Sequence, residues 1–185
     1  MDTSKKMFFV AVMPPDPLQE EVRKIKLIFR DNYGSGHALN SPAHLTLIPP
    51  FYWPANLEPD LIRSLDQFSA GEAPFTVSLS GFGAFSPRVI FIDVALNDQL
   101  VGLQHRLKEF MDNQWRISER LRDNKPFNPH MTVAFRDLSR QNFHRAWAEF
   151  REKTFNDDFS VNKIILLWHD HKQWNVHHQA HFTKN

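Results

Sequence analysis

Apolar and polar positions along the chain fall into a repeated unit of strand, helix and strand. In the first unit, residues 7–12 predict one strand, and residues 44–48 predict another that two prolines close. Asp16 before Pro17 predicts the N-cap of the helix between them, and Gln19 would complete a capping box. The apolar face of this helix consists of four residues at helical spacing, which are Leu18, Val22, Ile25 and Phe29.

The second unit repeats this order further along the chain. Residues 89–96 predict its first strand and residues 130–135 its last strand, which a polar loop precedes. The apolar face of its helix consists of Leu100, Leu103, Leu107 and Phe110. In both units the last strand begins with the pattern His-x-Thr.

Further elements surround the two units. A third helix and an alternating strand over 75–85 are predicted between them, and Ser139 is expected to cap a fourth helix. The chain then ends in two predicted strands, 159–168 and 174–182, that form a hairpin. Four helices and about seven strands predict an α+β fold. Since no segment resembles a linker, we expect residues 1–185 to form a single domain of two pseudo-symmetric, β-α-β-containing lobes.

The two His-x-Thr strands provide a candidate site. Because side chains alternate between the faces of a strand, His44 shares a face with Thr46, and His130 shares one with Thr132. An imidazole transfers protons near neutral pH, and a threonine hydroxyl donates a hydrogen bond to a phosphate oxygen. If the two units pack about a pseudo-twofold axis, one imidazole takes a proton from an attacking oxygen and the other protonates a leaving oxygen. A third His-x-Thr, at His181, is interpreted as incidental.

The composition of the chain narrows this chemistry. None of the 185 residues is Cys, which excludes a thiol nucleophile, a disulfide framework and a thiolate metal site. The 22 basic and 21 acidic side chains give a formal charge of +1, so the chain lacks the field of a protein that coats duplex nucleic acid. We expect a cytoplasmic protein without membrane contacts, because no apolar run reaches the roughly 18–20 residues of a membrane span.

The tetrads His44-Leu-Thr-Leu and His130-Met-Thr-Val, 86 positions apart, resemble the two H-x-T-x signatures of the two-histidine (2H) phosphoesterase superfamily. Within it, the chain is most similar to the bacterial 2′-5′ RNA ligase-like branch, the RNA cyclic phosphodiesterases. The resemblance implies a bilobal fold with mainly antiparallel sheets around a central groove that both tetrads line. It also implies that His44 and His130 are the acid and base, while Thr46 and Thr132 hold the phosphate.

The activity that this resemblance implies is a phosphodiesterase that needs no metal or other cofactor. Its substrates would be 2′,3′-cyclic phosphates or 2′-5′ bonds of RNA or nucleotides, with 2′-5′ ligation as the reverse reaction. The expected partner is therefore a small nucleotide or an RNA 3′ end, bound by a monomer. The residues leave open which histidine is the acid, because that depends on which ribose oxygen leaves.

Further candidates for substrate binding flank the tetrads. Arg136 lies six positions after the second histidine, and this even offset places it on the same strand face, where it would contact a phosphate or a substrate 3′ end. The alternative is a charge at the strand end that pairs with Asp137. Arg88 resembles an arginine of related sequences, and Phe51 and Tyr52 are candidates for stacking on a base or, alternatively, for closing the core.

The remaining histidines carry no assigned role. His37, His105 and His144 are expected at the surface. The C-terminal histidines offer imidazoles that suit zinc, but they lack the H-E-x-x-H pattern, and the adjacent His177 and His178 are expected on opposite faces of a strand. No metal site is therefore predicted.

Two alternatives to the phosphodiesterase remain at this point. One is a module of the same fold that binds nucleotides or RNA ends with little turnover. The other, less favoured, is a zinc hydrolase that uses the C-terminal histidines.

Overall fold

Two four-stranded sheets and four α-helices make up the part of the chain that the computed structural model describes, residues 4–121 and 126–184. The strands are β1 (Lys5–Val12), β2 (Leu45–Pro54), β3 (Phe75–Phe85), β4 (Val89–Val94), β5 (His130–Ala134), β6 (Asn156–Val161), β7 (Lys163–His169) and β8 (Trp174–His181). The helices are α1 (Asp16–Tyr33), α2 (Glu58–Ser69), α3 (Asp98–Trp115) and α4 (Arg140–Phe150). None of these four helices combines the length and the apolar content that a bilayer-spanning segment needs.

The two sheets share one spatial arrangement of strands, although the connections of their outer two strands differ. Their strand orders are β2-β1-β7-β8 and β5-β4-β3-β6, and all neighbouring strands are antiparallel. The unit β1-α1-β2 therefore corresponds to β4-α3-β5, and in each lobe the strand with the His-x-Thr pattern lies at the edge of its sheet. The predicted α+β fold with two pseudo-symmetric lobes is confirmed.

Strand alternation separates a core face from a groove face in each sheet. In β2, Leu45 and Leu47 are buried in the main hydrophobic core, whereas Thr46 between them is only half-buried. In β5, Met131 and Val133 contribute to the same core, which is continuous between the two lobes. The buried alternate positions thus hold both strands in a register that turns their polar residues away from the core.

Two predicted strands differ from the structure by more than one or two residues at their ends. The predicted strand 159–168 is divided at Asn162 into β6 and β7, which belong to different sheets. Pro49 and Pro50 do not close β2, which continues to Pro54. Because β2 is an edge strand, prolines without an N–H group are tolerated there.

The start of α1 also differs from the prediction. Its N-cap is Pro15 and receives no side-chain hydrogen bond, so Asp16 lies within the first turn instead of capping it. The side chain of Gln19 bonds instead to the backbone of Ala43, which lies outside the helix, so it forms no capping box. By contrast, the predicted cap of α4 is confirmed, since the side chain of Ser139 accepts a hydrogen bond from the backbone of Asn142. The predicted polar loop before β5 lies partly outside the described residues, at 122–125.

Candidate active site

A cavity of about 510 Å³ lies where the groove faces of the two lobes meet. Both His-x-Thr pairs line it, with His44 and Thr46 from the first sheet and His130 and Thr132 from the second. Each pair stands at an edge strand, and β2 and β5 are in contact across the groove. The structure therefore brings together four side chains that are far apart in sequence.

Both imidazoles are held through the same ring nitrogen. Nδ1 of His44 lies 2.8 Å from the carbonyl oxygen of Pro42, and Nδ1 of His130 lies 2.7 Å from the carbonyl oxygen of Asn128. A carbonyl only accepts, so Nδ1 carries the proton in each ring and Nε2 holds the lone pair of the neutral imidazole. This arrangement leaves Nε2 of both rings for proton exchange with a ligand.

The surroundings of the two histidines favour the neutral imidazole to different degrees. Burial lowers the pKa of His44 to about 4; its bond to the Pro42 carbonyl opposes this shift, and the charges of Lys26 and His130 add to it. Burial also lowers the pKa of His130, but here both the Asn128 carbonyl and the charge of Asp93 act in the opposite direction. The first lobe therefore places a cation near its histidine, and the second lobe places an anion.

Aromatic rings pack beside both imidazoles. The ring centroid of Phe9 lies 4.8 Å from that of His44, and the centroid of Phe91 lies 5.1 Å from that of His130. Phe9 belongs to β1 and Phe91 to β4, the equivalent neighbouring strands of the two lobes. A second aromatic ring, that of Phe85, lies 4.9 Å from His130. These contacts restrict the tilt of each imidazole and exclude water from one side of it.

Arg136 lines the cavity beyond the end of β5. Its backbone has a φ of 62°, in the left-handed region, so it departs from the regular strand on which its placement was predicted. The expected alternative, an ion pair with Asp137, is absent from the described ion pairs, because the Asp137 carboxylate accepts hydrogen bonds from the Gly36 and His37 backbone and from the Ser35 hydroxyl. The guanidinium lies instead 3.2 Å from Nε2 of His37.

Three other predicted binding residues do not line the cavity. Phe51 is only 1% exposed and belongs to the hydrophobic core, so its side chain cannot stack on a base. Tyr52 is 46% exposed and pairs with Met7, a cavity residue, so it lies on the groove face but outside the cavity. Arg88 is exposed in the turn before β4, while its neighbour Val89 lines the cavity.

Several cavity residues have no counterpart in the sequence prediction. The hairpin between β7 and β8 contributes His169, His171, Lys172 and Trp174, and the segment before β2 contributes His37. His37 was expected at the surface, but it packs edge-on against Phe135, with 5.0 Å between the ring centroids. The only indication of these hairpin residues in the sequence is that polar and aromatic residues are frequent at the predicted tip of the hairpin.

Two adjacent histidines of β8 bond to a helix. A β-bulge in β8 lies opposite Leu166 and Leu167, and Nε2 of His177 and His178 contact Glu58 and Asp66 of α2 at 2.6 and 2.7 Å. The expectation that these adjacent histidines point to opposite faces is therefore wrong. Within residues 4–121 and 126–184, no three His, Cys, Asp or Glu side chains are grouped to hold a metal ion.

Comparisons with known proteins identify the family of the chain and relatives of its fold. A family model described as the 2′-5′ RNA ligase superfamily matches residues 14–173. A phosphoesterase candidate of Bacillus cytotoxicus is 25% identical over 179 residues, which cover 95% of this chain and 96% of that protein. The crystal structure of TT0787 of Thermus thermophilus matches with a TM-score of 0.72 and 20% identity, covering 97% of this chain and 99% of that one. Escherichia coli LigT complexed with 3′-AMP matches with a TM-score of 0.65 and 20% identity, covering 98% and 100% of the two chains.

Proposed function

Because the chain belongs to the 2′-5′ RNA ligase superfamily of phosphoesterases, we propose that it is a metal-independent phosphodiesterase acting on 2′,3′-cyclic phosphates or 2′-5′ bonds of RNA or nucleotides. The observation that carries the proposal is that both His-x-Thr pairs line one cavity, with both imidazoles oriented through Nδ1. Opening such a phosphodiester requires a base, an acid and donors to the non-bridging oxygens. The four side chains supply all three.

In the proposed reaction, His44 is the base and His130 is the acid. Nε2 of His44 takes a proton from water as the water oxygen attacks phosphorus. The bond between phosphorus and a ribose oxygen then breaks, and that oxygen takes a proton from Nε2 of His130. This assignment follows from the local charges, since Lys26 opposes protonation of His44 and Asp93 favours protonation of His130. Thr46 and Thr132 donate to the non-bridging oxygens, and 2′-5′ ligation would be the same displacement on a 2′,3′-cyclic phosphate with a ribose hydroxyl in place of water.

The substrate is proposed to be a small nucleotide or an RNA 3′ end, bound by a monomer in the cytoplasm. Arg136 would hold a further phosphate or the 3′ end, because its guanidinium lines the cavity without a carboxylate partner among the described ion pairs. Escherichia coli LigT has been crystallised with 3′-AMP, NADP⁺ and ATP, so a nucleotide ligand is consistent with the fold. Tyr52 and Arg88 would contact only a substrate that extends beyond the cavity.

Hydrolysis of a substrate panel in the presence of chelator tests the proposal. The panel contains 2′,3′-cyclic mononucleotides, an RNA oligomer with a 2′,3′-cyclic end and a 2′-5′ oligoadenylate. We expect turnover of at least one member at a rate that EDTA leaves unchanged, with zinc analysis of the purified protein as a control. Loss of turnover on chelation, or binding of every member without turnover, would contradict the proposal; the second result would establish a binding module.

The pH dependence of kcat/KM is expected to be bell-shaped and centred below neutrality. His44 must be unprotonated, so activity rises as pH increases through its pKa of about 4. His130 must be protonated, so activity falls as pH increases through its pKa, which lies below the ordinary value of 6.5. A bound phosphate anion favours the protonated imidazole, so the alkaline limb of kcat is expected at higher pH than that of kcat/KM. Stopped-flow or discontinuous assays from about pH 3.5 to 8 on one substrate measure both limbs, and an activity that only rises with pH would contradict the assignment.

A further inference from the structure

The segment 41–43, which precedes His44 and β2, is held by α1 at two of its three residues. The side chain of Gln19 accepts a hydrogen bond from the backbone N–H of Ala43 at 2.8 Å and donates one to its carbonyl at 2.8 Å. Nζ of Lys26 donates to the carbonyl of Ser41 at 2.9 Å. The residue between these two, Pro42, provides the carbonyl that orients His44. The imidazole is thus anchored to a short segment whose own backbone is fixed by two side chains.

Lys26 is an unusual residue for this position, because it is only 3% exposed and its hydrogen-bond partner is a neutral carbonyl. Burial lowers its pKa to about 8, so it still carries its charge where a histidine titrates. Asp16 and Glu20 line a second, separate cavity together with Lys26, but neither forms an ion pair with it in the described part of the chain, and Glu20 faces Arg23 at 3.7 Å. A buried cation without a counter-ion reduces stability, so a neutral side chain would suit packing better.

The effect of Lys26 on the site is electrostatic. The Lys26 ammonium is a cation near His44, whereas His130, the counterpart of His44 in the second lobe, has the carboxylate of Asp93 near it. The other charged or titratable groups that face His44 are His130 across the groove and the cavity residues His37, Arg136, His169, His171 and Lys172. Lys26 differs from these because it lies on α1, outside the cavity lining, and donates to the segment whose Pro42 carbonyl orients the ring.

We propose that Gln19 and Lys26 are positioning residues through which His44 acts as the base of the histidine pair. Gln19 fixes the segment whose carbonyl holds the proton on Nδ1, and Lys26 opposes proton uptake at Nε2. The inference rests on the proposed function for its consequence in catalysis, but the state of His44 is measurable without a substrate.

The test is an NMR titration of the His44 imidazole in Lys26→Gln and Lys26→Met. Lys26→Gln keeps a hydrogen-bond donor and removes the charge, and Lys26→Met removes both. The midpoint of His44 is expected to rise by at least about half a pH unit in both variants, because a nearby cation disfavours the protonated ring. Lys24→Gln is the matched control, since Lys24 is an exposed lysine on the same helix, and it should leave the midpoint within experimental error.

Gln19→Leu tests the second half of the proposal. Without the two bonds to Ala43, the ring of His44 is expected to populate both neutral tautomers, which imidazole ¹⁵N shifts distinguish, and kcat is expected to fall at least about 10-fold with little change in KM. Gln67→Leu, at an exposed position of α2, is the control. If Gln19 only stabilised the fold, Gln19→Leu would lower the thermal stability without changing the tautomer of His44.

The outcomes separate this inference from the proposed function. If the panel shows no turnover but the His44 midpoint rises in both Lys26 variants, the proposed function fails and the positioning role stands. If the panel is hydrolysed and the midpoint in both Lys26 variants matches that of Lys24→Gln, the role of Lys26 is overturned. An unchanged tautomer in folded Gln19→Leu overturns the role of Gln19.

Discussion

His44→Ala and His130→Ala are each expected to lower kcat/KM for a cyclic phosphate by about 10²–10⁴, the contribution of a positioned acid or base. Each substitution removes one proton-transfer group and leaves the two threonines and the other imidazole in the cavity. Because the two transfers belong to one displacement, the double variant is expected to lose much less than the product of the two single losses. His105→Ala is the control, because it removes an exposed histidine of α3 and should leave kcat/KM unchanged.

A substrate with a good leaving group distinguishes the two histidines. A nucleoside p-nitrophenyl phosphodiester releases a phenolate that needs little protonation, so His130→Ala should recover most of its activity on this ester. His44→Ala should remain impaired, since water still has to lose a proton to attack. The opposite pattern would mean that His130 is the base and His44 the acid. Full activity of either alanine variant on a cyclic phosphate would refute the mechanism.

Thr46→Val and Thr132→Val are expected to lower kcat/KM by about 10²-fold each, the scale typical of a donor that stabilises developing charge on oxygen. Valine nearly preserves the shape of threonine and removes only the hydroxyl, so binding of the phosphate is weakened while the strand and its core face are retained. Because the donors act most strongly in the transition state, most of the loss should appear in kcat. Initial-rate kinetics at the pH optimum measure how the loss is divided between kcat and KM.

Thr76→Val is the matched control for the threonine variants. Thr76 is exposed on β3, so its hydroxyl lies outside the cavity and its loss should leave kcat/KM unchanged. Thermal unfolding of all three variants establishes that any loss of activity is local. Wild-type rates in both Thr46→Val and Thr132→Val would show that other groups hold the phosphate.

The two lobes share one strand arrangement but differ in the charges around their histidines. Each lobe presents a histidine held through Nδ1 by a carbonyl two residues earlier, with a phenylalanine of the neighbouring strand beside it. A symmetric site of this kind would have no preference for the direction of proton transfer. Lys26 in one lobe and Asp93 in the other remove that equivalence, because they shift the protonation of the two rings in opposite directions.

The fold was predictable where local signals decide it. Helical spacing of apolar residues located α1 and α3, and strict alternation located β3 with the bounds that the structure shows. The errors concern contacts between distant segments. Nothing local to residues 159–168 indicates that the chain leaves one sheet at Asn162 and enters the other, and the edge position that lets β2 continue through Pro49 and Pro50 is a property of the sheet.

The sequence by itself determined the repeated unit and the two His-x-Thr strands, because period-two alternation and helical spacing are consequences of backbone geometry within one segment. Only the tertiary structure decided that Phe51 is a core residue, that His37 and the β7–β8 hairpin line the cavity, and that Lys26 is buried and bonds to Ser41. These features depend on the packing of one lobe against the other and of α1 against the segment before β2. Such packing joins residues that no local pattern relates.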